Sequence, residues 1–161
     1  MLVTARSREG APDDRGVIGY ATSPDLDEWT VQPTLSAPGT GFGHLEVPQL
    51  ATVEGRQVLI FSSLHGELTA QRRAAGERGG VWSVPVDSPT GPFDIASATR
   101  LTDESLYAGR LLQDRAGQWW LFAFNHVDEN GAFIGSLSDP MPVGWEDGRL
   151  RVSDGRFDGL R

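Results

Sequence analysis

The chain has 161 residues, a formal net charge of −8 and a sequence pI near 4.8, and it contains no cysteine. A negative field of that size argues against nucleic acid as a partner, because phosphate binding needs a positive one. The missing thiols exclude a disulfide framework and a thiolate metal site.

The first 20 residues carry no apolar leader, since Arg6, Arg8, Asp13, Asp14 and Arg15 interrupt them. That predicts a cytoplasmic protein with no membrane partner. All 14 basic residues are arginine, which reads as codon composition rather than as selection for bidentate pairing. Apolar runs are short, rich in β-branched and aromatic residues, and punctuated by Gly, Pro, Asp and Ser, which is all-β grammar.

In chain order, Leu2 to Arg6 is a strand entered almost at the first residue, so upstream sequence is expected to be missing. Gly16-Val17-Ile18-Gly19-Tyr20-Ala21 is the next strand. It ends at the corner Ser23-Pro24-Asp25, with an outer strand at Trp29 to Val31. A second unit opens at Glu46, turns at Glu54-Gly55 and returns through Val58 to Leu64. Residues 67–78 read as a long polar loop with at most a turn of helix. Then come Gly80 to Pro85, the corner Asp87-Ser88-Pro89 and an outer strand at Phe93 to Ala96. A third unit runs from Tyr107 through the turn Ala116-Gly117 to Trp119–Asn125. It continues with Gly131 to Ser136, the corner Ser138-Asp139-Pro140 and Leu150 to Val152.

Four antiparallel strands repeated in this way predict β-propeller blades. The fold expected is all-β: a partial propeller of about three blades, forming one domain over 1–161. Its parts are a blade remnant at 1–42 and blades at 43–104 and 105–161. Three blades leave an open arc whose edges and faces invite self-association or an upstream propeller half.

The segment from Thr4 to Phe61 resembles the catalytic propeller of glycoside hydrolase family 32, the β-fructosidases that cleave sucrose and fructans. Thr4-Ala5-Arg6, Gly16 to Ser23, Asp25-Leu26 with Trp29, and Glu46-Val47-Pro48-Gln49 carry the likeness, with Leu106-Tyr107-Ala108 later. Families 43, 62 and 68 share the five-bladed fold that this resemblance implies. It also implies a sugar substrate, retaining hydrolysis and Glu46 as general acid/base. The family's nucleophile motif, Asn-Asp-Pro-Asn, and its Arg-Asp-Pro motif do not occur here. The one Asp-Pro, Asp139-Pro140, follows Ser138. The chain therefore matches the C-terminal portion of such a propeller and is expected to be inactive alone. The alternatives are a non-catalytic carbohydrate-binding or remnant segment, and half of a family 43 type arabinosidase or xylosidase.

Read from the residues, a Glu at the start of an apolar run is costly unless paired or used. Leu45, Val47 and Leu50 predict a desolvated Glu46 carboxyl, the setting of a proton donor. The plainer alternative is a Glu that begins an edge strand and points to solvent. Aligning the turn glycines Gly55 and Gly117 sets Glu46 opposite Ala108. Tyr107 is placed as a partner of Glu46 or of a sugar hydroxyl, or else as an ordinary core tyrosine. His44 is a candidate for the pocket rim; His65 and His126 read as loop residues with no role. Arg110 either reaches the channel or forms an ion pair. Asp25 is a corner cap, and Trp119 and Trp120 face opposite sides as blade packing. Three scattered histidines make no ligand pattern, so neither metal nor cofactor is expected.

Overall fold

The computed structural model describes residues 1–128 and 130–153. The expected last blade includes Glu129 and 154–161, which lie outside the described residues. Among the described residues, twelve strands form three antiparallel sheets in the arrangement of a partial propeller. The first sheet has the order β1 (Leu2–Arg6), β2 (Gly16–Thr22), β3 (Thr30–Gln32). The second has β4 (Glu46–Val53), β5 (Arg56–Ser63), β6 (Gly80–Pro85) and β7 (Thr99–Arg100). The third is built on β8 (Leu106–Gln113) and β9 (Trp119–Val127), followed by β10 (Phe133–Leu137), β11 (Met141–Glu146) and β12 (Arg149–Val152).

Period-two alternation explains how the sheets stack. On β5, Val58 and Ile60 join a core cluster with Leu111, Leu121 and Ala123 of the third sheet. Leu59 and Phe61 point the other way, into a cluster with Ile18, Phe42 and Leu45. The strand is buried on both faces and so reads in sequence as one apolar run. Turn chemistry fixes the hairpins. Glu54 and Gly55 both have positive φ, 50° and 78°, as a two-residue turn between twisted strands requires. Trp145 ties the third sheet back to the second, its indole donating to the Val53 carbonyl at 2.9 Å.

Three details differ from the sequence expectation. Phe93 to Ala96 is not an outer strand: a 3-10 turn occupies Ile95–Ser97, and the fourth strand is Thr99–Arg100. Phe93 is drawn inward instead, 4% exposed, with its amide donating to the Leu35 carbonyl. Ser138-Asp139-Pro140 is not a corner between strands. It interrupts one long third strand, because β10 and β11 both pair with β9, and Ser138 bonds to Ala123 across the break. The polar segment after β5 holds a 3-10 turn at His65–Glu67 and one short helix, α1 (Ala70–Ala74), capped by Thr69. No helix among the described residues is long and apolar enough to cross a membrane.

Candidate active site

The innermost strands of the second and third sheets, β4 and β8, carry the same irregularity. The pairing of β4 with β5 slips between Glu46 and Gln49, and that of β8 with β9 slips between Tyr107 and Arg110. Val47 and Ala108 sit at the two bulges with φ of 51° and 52°, a region where a β-branched residue is strained. Matching the bulges sets Glu46 opposite Tyr107, not Ala108. The turn-glycine alignment slipped by one because the β8–β9 loop is longer: Asp114 and Gln118 close it around Arg115, Ala116 and Gly117, whereas Glu54 and Gly55 suffice in the second sheet. The two repeats thus place a carboxyl and a phenol at one structural position.

These two side chains meet. The Tyr107 hydroxyl donates to Glu46 Oε2. Burial first, and then the Glu46 hydrogen bond, push the Tyr107 hydroxyl well above the ordinary tyrosine range, so it stays a protonated donor. The Glu46 side chain keeps 35% of its surface exposed, so its desolvation is less complete than its apolar neighbours suggested. His44 Nδ1 lies 3.5 Å from Glu46 Oε1 and 3.2 Å from Glu67 Oε2. Arg6, from β1 of the first sheet, reaches His44 Nδ1 at 3.2 Å and Glu67 Oε2 at 3.1 Å.

Arg110 lies close by but is aimed differently. Its Nη1 donates to the Val47 carbonyl at 2.7 Å and to the Gly109 carbonyl at 3.0 Å, so it braces the bulge beside Glu46. Gln49 braces the same seam. Its amide exchanges two hydrogen bonds with the Leu111 peptide, at 2.9 and 2.8 Å. His126 is on β9 rather than in a loop, with its ring centroid 5.6 Å from that of Tyr107.

Arg6, Glu67 and His126 carry no local signal of a site role: Arg6 ends a strand in the matching segment, Glu67 lies in a polar stretch without pattern, and His126 has no partner near it in sequence. Asp25 caps its corner, accepting from the amides of Asp27 and Glu28 at 2.9 and 3.0 Å; these bonds, led by that of Glu28, hold its carboxyl below the usual range. Trp119 packs on the core, while Trp120 turns outward and donates to Asp114. Among the described residues no group of three or more His, Asp or Glu is placed to hold a metal.

No protein-family model and no curated protein sequence matches the chain. Solved structures do match. The inulosucrase from Halalkalicoccus jeotgali bound to kestose superposes with a TM-score of 0.73 at 18% identity, over 94% of this chain and 45% of that one. A family 32 β-fructofuranosidase from Bombyx mori gives 0.67 at 17%, over 92% and 33%. The sucrose-6-phosphate hydrolase from Lactobacillus gasseri gives 0.67 at 18%, over 92% and 32%. The chain thus has the fold of part of a β-fructosidase-type propeller and spans less than half the length of each.

Proposed function

We propose that this chain supplies the proton-donating part of a retaining glycoside hydrolase site for fructose-containing sugars, sucrose or fructans, with Glu46 as general acid/base. The observation that carries this is the setting of Glu46. Glu46 stands at the edge of a bulge, the Tyr107 hydroxyl grips one oxygen, and a third of the side chain stays open. Such a group is both oriented and reachable. The shared fold with proteins described as inulosucrase and β-fructofuranosidase supports the sugar class.

Because Tyr107 donates to Oε2, the transferable proton belongs on Oε1, the oxygen beside His44. From there it would pass to the oxygen of the bond being cleaved. The covalent step needs a second carboxylate about 5–5.5 Å away. We place that nucleophile on blades outside this sequence. His44 then belongs to the rim. Arg110 would offer its N–H groups not engaged by Val47 and Gly109 to a sugar hydroxyl.

A non-catalytic, sugar-binding segment is the second reading, and one observation favours it. The imidazole of His44 stands between Glu46 and Glu67, and Arg6 pairs with Glu67. Glu67 is thereby tied up rather than facing a substrate.

Hydrolysis of sucrose, inulin and levan separates the two. The 161-residue chain is expected to release no product. A longer chain that includes the nucleophile-bearing blades is expected to hydrolyse them, and Glu46→Gln to lower its rate by about 10²–10⁴-fold without unfolding it. Full activity in the Glu46→Gln protein would place the chemistry elsewhere.

A further inference from the structure

We propose that Gln49 is a positioning residue that keeps the Tyr107 hydroxyl on Glu46, by pinning the inner strand of the third sheet against that of the second. Its place in catalysis rests on the acid/base reading of Glu46. The contact it holds stands without that reading.

The second and third sheets share no backbone ladder among the described residues: β4 pairs with β5, and β8 with β9. Most of what lies between them is apolar, with Ile60 and Val81 packed in one cluster with Leu111 and Leu121. Such packing is non-directional, so it holds two sheets together without fixing the height of one strand on the other. The Glu46–Tyr107 bond needs that height fixed, because its partners stand on different sheets.

Matching the two bulges sets Gln49 opposite Arg110, each three residues beyond the pair Glu46 and Tyr107. Both side chains cross the seam, in opposite directions. Arg110 reaches back to the Val47 carbonyl at 2.7 Å. Gln49 reaches forward: Nε2 donates to the Leu111 carbonyl at 2.9 Å, and Oε1 accepts from the Leu111 amide at 2.8 Å. Among the described residues β8 has a strand partner on one side only, so its other edge carries backbone groups that lack a ladder. Leu111 is 1% exposed, so water has little access to its peptide, and losing the amide leaves both groups unsatisfied. A carboxamide supplies donor and acceptor together. Gln49 therefore acts as one rung of a ladder between two sheets that have none. The rung and the Arg110 bond flank Val47, whose φ of 51° is strained for a β-branched residue, and Glu46 is its neighbour. A slip at the rung is carried directly to Glu46 and Tyr107.

The test uses the whole 161-residue chain, labelled with carbon-13 at tyrosine Cζ, the ring carbon that bears the hydroxyl. The two tyrosines give two resonances, and Tyr107→Phe assigns them. Glu46→Ala takes away the acceptor and marks where the Tyr107 resonance stands when the phenol is released. At neutral pH, Gln49→Met, which keeps the length and loses both hydrogen bonds, is expected to move the resonance most of the way to the released position. Gln49→Glu keeps the acceptor and loses the donor, and is expected to move it part of the way. Ile18 is fully buried in the other core cluster, and Ile18→Val is expected to lower the urea midpoint while leaving the resonance at the parent position. If Gln49→Met fails to fold, Gln49→Glu decides. A resonance at the parent position in the folded Gln49 variants, or an equal movement in Ile18→Val, overturns the proposal. Neither result touches the acid/base reading, which stands or falls on hydrolysis by the longer chain carrying Glu46→Gln.

Discussion

The second and third sheets are built from the same strand order, but the long third strand of the last sheet is split: its β11 part is buried like β6, with Met141 and Val143 at 3% or less, and its β10 part is not. In β6, five of six residues are buried, and Val81, Trp82 and Val84 are 2% exposed or less. In β10 every residue is exposed, with Phe133 at 70% and Leu137 at 67%. Both runs are apolar enough to be strands. What separates them is the neighbour: β6 lies between two sheets and pairs with β5 and β7, whereas β10 pairs with β9 alone among the described residues. The repeat writes the strand, and stacking decides what the strand buries. Apolar faces left open in this way mark surfaces that pack on something else.

That contrast has an energetic form. Ile60, fully buried between the second and third sheets, is expected to cost about 2–5 kcal/mol when replaced by alanine. Ile134, 49% exposed on β10, is expected to stay within about 0.5 kcal/mol. Urea unfolding of the two variants measures the difference. Equal losses would mean that the outer face of the third sheet is packed in solution.

The seam between these sheets is tight enough to probe with one carbon. A Cβ on Gly109 would stand 2.7 Å from Val81 Cγ1 and 3.2 Å from Leu121 Cδ1, both in the core. Gly109→Ala is expected to destabilise by about 1–3 kcal/mol through overpacking, read from the shift in the urea midpoint. A neutral result would show that the second and third sheets are free to separate by a few tenths of an ångström.

The open face should also be visible as association. Leu112, Phe133 and Leu137 are expected to drive concentration-dependent self-association, and replacing all three by serine to reduce it, measured by sedimentation velocity. Chains that stay monomeric at every concentration would remove this expectation.

Much of this organisation was legible because the repeat is written in local signals. Leu2–Arg6 and Gly80–Pro85 have the bounds that alternation and flanking Gly or polar residues suggest. Glu54-Gly55 announces its hairpin outright. Missing were features set by contacts distant in sequence. Phe93 to Ala96 looks like a strand, but the packing of Phe93 and Ile95 against the first sheet draws the segment into a turn. The register of Glu46 failed by one residue because loop length, invisible to a glycine-to-glycine alignment, differs between the repeats. Arg6 and Glu67 are 61 positions apart and lack any shared pattern, so only the fold brings them to His44.

The smallest expected effect bears on a position where the two repeats diverge chemically. Tyr107→Phe removes the hydroxyl that holds Glu46 and leaves the ring packed by His126. In the folded chain the Tyr107 hydroxyl is raised above 10.0, first by burial and then by its bond to Glu46. The unfolded chain releases this proton near pH 10 while the folded chain keeps it. Its contribution to stability is therefore complete below about pH 10 and falls as pH rises from there, because the folded state then binds more protons than the unfolded one. Urea midpoints measured across that range should decline more steeply for the parent than for Tyr107→Phe. At neutral pH the two differ only by the lost hydrogen bond, about 0.5–1.5 kcal/mol. Parallel alkaline slopes would show that the Tyr107 hydroxyl is not held at Glu46, and the oriented proton donor inferred from that bond would lose its support.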